Sequence, residues 1–228
     1  MATSWAFKTI ITSIAAFLAT NIDDILILML FFAQTNAKFR VRQIVAGQYL
    51  GFTALVVASL PGFFGGLLVR RPWIGLLGLV PIAIGIKFLM HGEDLVSEVQ
   101  IVRDLPPPKT DQPAPSRSPK ISMYSALTGL LSPQIYSVAA VTFANGGDNI
   151  GVYVPLFAGS DLGRLGIILS IFFLLVGIWC FVGYQLTRYP AIVQILTRHS
   201  STLAPLILIG LGIFILLENG TLALLLKI

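Results

Sequence analysis

An all-α polytopic membrane protein, with six transmembrane helices arranged as two inverted three-helix repeats, is the fold that these 228 residues predict. Three observations carry that prediction. The chain is 56% hydrophobic and only 11% charged, the balance of a membrane protein and not of a soluble domain. Its apolar residues gather into runs long enough to cross a bilayer. Two of those runs, about half a chain apart, carry the same short motif around carboxylates.

A bilayer core takes about 20 apolar residues to cross, which places spans near 8–33, 44–69, 73–90, 134–158, 165–186 and 203–225. The first run lacks an A-x-A-like cleavage site and continues through two aspartates to Ala33, so it reads as a span and not as a removable signal peptide. Residues 91–121 turn charged and proline-rich, with Pro106-Pro107-Pro108, Pro113, Pro115 and Pro119, the composition of an extended linker. The linker divides one membrane domain into a first repeat, 1–90, and a second, 122–228. Each repeat holds an odd number of spans, so the second enters the membrane in the opposite sense. Late in each half, Gly85-Ile86-Lys87-Phe88-Leu89 resembles Gly212-Ile213-Phe214-Ile215-Leu216, each after a proline. Lys38, Arg40, Arg42, Arg188, Arg198 and the linker share one side, which the positive-inside rule makes cytoplasmic. Lys8, Arg70, Arg71, Arg164 and Lys227 share the other, and both termini are expected outside.

The net charge of +5 comes from basic residues spread between apolar runs, not from a patch, so topology explains it and nucleic acid is not an expected partner. The expected surroundings are the lipid bilayer, and a chain of this size can form a homodimer. A single cysteine, Cys180, excludes an intrachain disulfide and a thiolate-rich metal cage. Of the ten acids, Glu93, Asp94, Glu98, Asp104 and Asp111 belong to the linker segment and Asp161 to a short loop. Asp23, Asp24, Asp148 and Glu218 lie within apolar runs.

A charge at the bilayer centre costs roughly 3 kcal/mol on insertion scales, so such residues line a pathway or pair with a cation. Thr20-Asn21-Ile22-Asp23-Asp24-Ile25 aligns with Asn145-Gly146-Gly147-Asp148-Asn149-Ile150, and the register holds until Phe32-Ala33 meets Phe157-Ala158. On a continuous helix, Thr20, Asp23 and Asp24 share a face, as do Asn145, Asp148 and Asn149. These six side chains offer oxygen only, the donor set of a hard or borderline divalent cation, and they are the candidate metal ligands. Asn21, Gly146, Gly147, Tyr153, Gln48 and Glu218 are candidates for the pathway around them. Gly146-Gly147 suits either close helix packing or a broken helix. Three ionised aspartates exceed the charge of one divalent ion, and protons compete for the same oxygens, so proton exchange is an expectation of the charge count. No catalytic residue and no cofactor are expected; the metal is cargo.

Thr20-Asn21-Ile22-Asp23-Asp24 and the longer run from Phe143 through Asn145-Gly146-Gly147-Asp148-Asn149-Ile150 to Phe157 resemble the cadmium-resistance transporter family of the lysine-exporter superfamily. The resemblance spans most of the chain outside the linker. It implies an integral membrane exporter of divalent metal, cadmium or, as in related branches, manganese or calcium; a bacterial plasma membrane is the expected location. Two other readings compete. A small amino-acid exporter would have to neutralise a substrate carboxylate, yet no base sits at mid-span. An intramembrane aspartyl protease would need a Gly-x-Gly-Asp motif, but Asn145 holds the first glycine position and no Tyr-Asp partner is present.

Overall fold

The computed structural model describes residues 2–37, 39–91, 132–188, 205–219 and 221. The linker beyond its first residue, and residues 203, 204, 220 and 222–225 of the last expected span, lie outside that set. Among the described residues the regular structure is entirely helical. The first half contains α1 (Ala2–Asn21), α2 (Asp24–Ala33), α3 (Val41–Leu68), α4 (Arg71–Gly75), a 3-10 turn over Leu76–Gly78, and α5 (Leu79–His91). The second contains α6 (Pro133–Asn145), α7 (Gly147–Ala158), α8 (Leu162–Leu186) and α9 (Pro205–Glu218).

The helix starts follow from local chemistry. Gln43 Oε1 reaches back to accept the Arg40 N–H at 2.8 Å before α3, the return half of a capping box. Asp161 Oδ1 accepts the Arg164 N–H at 2.9 Å and caps α8. Pro133 opens α6, where a missing N–H leaves no helical bond unmade.

Among the described residues two helices, α3 and α8, are long and apolar enough to cross a membrane alone. The pair Trp5–Asn21 and Asp24–Ala33 qualifies as a third span if counted together, but it is bent by 59°. The first span is therefore not the continuous helix over 8–33 that apolar composition suggests. The stretch expected as 134–158 is likewise two helices, which meet at Gly146. The stretch expected as 73–90 begins as the short α4 and the 3-10 turn before α5 takes over.

The halves interlock. Helix α3 of the first half lies along both α6 and α7 of the second, and α8 of the second half lies along α1 and α2 of the first. Small residues set the first of these contacts. A Cβ at Gly47 would meet Val138 and the Ile135 carbonyl, and one at Gly51 would meet Thr142 and the Ala139 carbonyl. Farther along α3, Gly62 faces the Val154 backbone and Gly66 the Ala158 backbone. Two small-xxx-small pairs thus bring the backbones together, as in membrane helix pairs. The 3-10 turn before α5 meets α9 the same way, with Gly78 against the Gly212 carbonyl and Gly212 against the Gly78 carbonyl.

Where the halves join, buried aromatic rings fill the centre. Phe17 of α1, Phe52 of α3, Tyr153 of α7 and Phe172 of α8 are each at most 1% exposed. Their centroids lie 4.7 Å (Tyr153 to Phe172) to 6.1 Å (Phe52 to Tyr153) apart, tilted or edge-on, the range in which ring quadrupoles attract.

Candidate metal site at two helix breaks

Both copies of the motif fall at helix interruptions, for different local reasons. In the second half, Gly146 ends α6 and starts α7 at φ −80°, ψ 23°, with its N–H on the Thr142 carbonyl at 3.0 Å. A side chain there would run into Leu55, whereas Gly147 faces open space. Gly146 thus serves both break and close packing, and Gly147 carries no packing contact.

No glycine or proline marks the break in the first half. Side chains divert the backbone instead. Thr20 Oγ1 bonds the Ala16 carbonyl at 3.0 Å, and Asn21 Nδ2 bonds the Phe17 carbonyl at 2.9 Å. Such back-bonding competes with the helical ladder and bends helices. Trp179 Nε1 on α8 then donates to the Asn21 carbonyl at 2.6 Å, satisfying an acceptor freed at the end of α1. Replacing Trp179 by Phe keeps an aromatic ring against Phe17 but removes this bond. We expect the variant to be destabilised by about 1–2 kcal/mol, read as a lower thermal unfolding midpoint in detergent. An unchanged midpoint would show that the indole N–H contributes nothing to the break.

The breaks place Asp23 and Asp24 beside the end of α6. Asn145 Nδ2 donates to Asp23 Oδ2 at 3.2 Å and to Asp24 Oδ1 at 2.8 Å, so one amide from the second half bridges both carboxylates of the first. Gln48 Nε2 from α3 donates to Asp24 Oδ2 at 3.1 Å, and Thr142 Oγ1 donates to Gln48 Oε1 at 2.6 Å. Asp24, Gln48 and Thr142 are buried.

A second network adjoins the first. Tyr153 Oη meets Thr20 Oγ1 at 3.1 Å and accepts from Asn21 Nδ2 at 2.9 Å. Asp148 Oδ1 accepts the Asn149 N–H at 3.0 Å. The Asn149 side chain sits between the two motifs. In one amide orientation Nδ2 bonds Asn21 Oδ1 at 3.3 Å; in the other it bonds the Thr20 carbonyl at 2.7 Å and Asp148 Oδ1 at 3.3 Å. The second orientation gives each polar atom a suitable partner and is the better assignment.

Of the six ligand candidates, then, Asp23, Asp24 and Asn145 meet directly. Thr20 does not share their face, because the break between α1 and α2 ends the helical register on which that expectation rested; its hydroxyl turns to Tyr153. Asn149 and Asp148 lie in the adjoining network. Among the described residues no three acidic, histidine or cysteine side chains converge on one point. Of the pathway candidates, Gln48, Asn21 and Tyr153 belong to the two networks. Glu218 stands apart, accepting Arg164 Nη1 at 2.8 Å. That ion pair belongs to a cleft lined also by Lys8, Thr12, Ser160 and Phe214. Thr142 and Trp179 were not foreseen. A threonine and a tryptophan in apolar runs carry no local sign that their partners lie 94 and 158 residues away.

Apolar helices that enclose a bridged pair of carboxylates at two interruptions define an integral membrane protein of the transporter class. The model of the cadmium resistance transporter family matches residues 17–109 and 131–228. The chain belongs to that family, whose members are metal-ion exporters. No curated protein and no solved structure matches it.

Proposed function

We propose that this chain exports a divalent metal cation, cadmium or a manganese-like ion, by alternating access at the paired helix breaks, in exchange for protons. The observation that carries the reading is the bridge from Asn145 to both Asp23 and Asp24. It joins the motifs of the two halves through oxygen-bearing side chains in an apolar setting, where carboxylates attract a cation strongly. Asp148 completes the charge set when the α7 end moves toward Asp24, and the oxygen donors are those that hard and borderline dications accept. When the ion leaves, protons neutralise the excess charge, which makes exchange a property of the site itself.

In this reading the six spans are α1–α2, α3, α4–α5, α6–α7, α8 and α9, and the halves form an inverted repeat. Reciprocal packing supports it: α3 lies on the broken pair α6–α7, α8 lies on the broken pair α1–α2, and the turn that leads into α5 meets α9 glycine to glycine. We place the chain in a bacterial plasma membrane with its linker in the cytoplasm, a sidedness that the positive-inside pattern supports. Purified protein in proteoliposomes should move Cd²⁺ or Mn²⁺ faster when a pH gradient is imposed, and Asp148→Asn should lower that flux by about tenfold, one lost charge interaction of roughly 1.4 kcal/mol. Flux that ignores the pH gradient would remove the proton from the mechanism; metal movement no faster than in empty vesicles would remove the transport reading.

A further inference from the structure

The two amides that hold Asp24 are not equivalent. Gln48 is pinned at both ends: Nε2 donates to Asp24 Oδ2 at 3.1 Å, while Oε1 accepts the Thr142 hydroxyl at 2.6 Å. Turning that amide over would set its oxygen against a carboxylate oxygen, which has no proton to give. Asn145 is held only from the nitrogen side. Its Nδ2 spans Asp23 Oδ2 and Asp24 Oδ1, but its Oδ1 is buried with no hydrogen-bond partner among the described residues. Buried amide oxygens are nearly always paired, so an orphan beside two carboxylates is an acceptor awaiting a partner.

We infer that Asn145 is a turning ligand, whose Oδ1 swings in to join Asp23 Oδ2 and Asp24 Oδ1 around the cation, and that Gln48 is a positioning residue locked by Thr142. Because Gln48 keeps Asp24 Oδ2 occupied, Asp24 presents one oxygen to the ion. A dication content with few, monodentate oxygens fits such a site. Calcium, which takes 6–8 oxygens in general and often a bidentate carboxylate, fits poorly. The Thr142–Gln48–Asp24 relay is thus a filter against calcium. This inference rests on the metal-site reading above and assigns the residues that set its selectivity.

The test measures equilibrium binding of Mn²⁺, Cd²⁺ and Ca²⁺ to the full chain in detergent by titration calorimetry. The parent should prefer Mn²⁺ and Cd²⁺ over Ca²⁺. Gln48→Met frees Asp24 Oδ2, and Thr142→Val unpins the amide that occupies it; both should narrow that preference, by up to about tenfold, the worth of one good ligand contact. Thr142→Ser, which keeps the hydroxyl, should restore the parental ratio. Asn145→Ala should weaken all three ions, and Asn145→Asp should recover them. A merely structural role for Gln48 would weaken every ion alike and leave the ratio unmoved, and that result would overturn the filter. If Thr142→Val does not fold, Gln48→Met reads the same ratio. A parent that binds none of the three ions would instead sink the metal-site reading on which the inference stands.

Discussion

Asp24→Asn is expected to abolish metal flux, by about 100-fold or more, while leaving the protein as stable as the parent or more so. The two effects have one origin. Asp24 is a buried carboxylate that accepts hydrogen bonds from two amides, Asn145 and Gln48, and neither donor is basic. Removing such a charge relieves the cost of taking it out of water, which for a buried ion is several kcal/mol. The same charge gives the site its attraction for a dication, and a 100-fold loss corresponds to roughly 2.8 kcal/mol of binding at 1.4 kcal/mol per tenfold. Flux in proteoliposomes and thermal unfolding in detergent, measured on one preparation, check both halves of the statement. Flux within about twofold of the parent would show that Asp24 is not a ligand. Lost flux together with a large loss of stability would make it a structural residue. Functional groups held at a cost to stability are a common feature of active sites, and the expected opposition of the two readouts is its signature.

The largest effect on folding is expected from Gly51→Leu. A Cβ at this position would already meet the Ala139 carbonyl at 2.6 Å and Thr142 Cβ at 2.7 Å, and backbone cannot step aside as a flexible side chain can. Overpacking ordinarily costs about 1–3 kcal/mol; here the whole α3–α6 contact must open, and we expect at least about 3 kcal/mol or failure to accumulate folded protein. Gly65→Ala is the internal comparison. It lies in the same helix with nothing within 4 Å of its Cβ, so it should be neutral or stabilise by about 0.5–1 kcal/mol through helix propensity. Equal losses from the two substitutions in a denaturant titration would mean that glycine packing does not hold the halves together.

What the sequence made legible was decided by how local the cause was. Asp23, Asp24 and Asn145 stood out because a carboxylate or amide deep in an apolar run is conspicuous at any position. Gly146 could be read as a break because glycine lowers helix propensity wherever it stands. The break after Asn21 was illegible, since Thr20 and Asn21 are unremarkable until their back-bonds and the Trp179 indole are seen together. Thr20 was misplaced for the same reason: a face drawn at i, i+3 and i+4 presumes a helix that does not continue. The division of labour between Gln48 and Asn145 was also out of reach, because it depends on which atom of each amide is already occupied.

The helix breaks carry a consequence for the empty carrier. Asp24 and Asp148 stand in the first turns of α2 and α7, two half-helices of 10 and 12 residues that begin at the breaks. A helix N-terminus is equivalent to roughly half a positive charge. Each such end places a local positive potential beside its own carboxylate, offset in part by the negative end of the half-helix that stops before the break. A carrier must reset after release, moving its unloaded site back through a medium hostile to charge. On the transport reading proposed above, the backbone beside each carboxylate is a fixed partial counter-ion that moves with it and never leaves with the cargo.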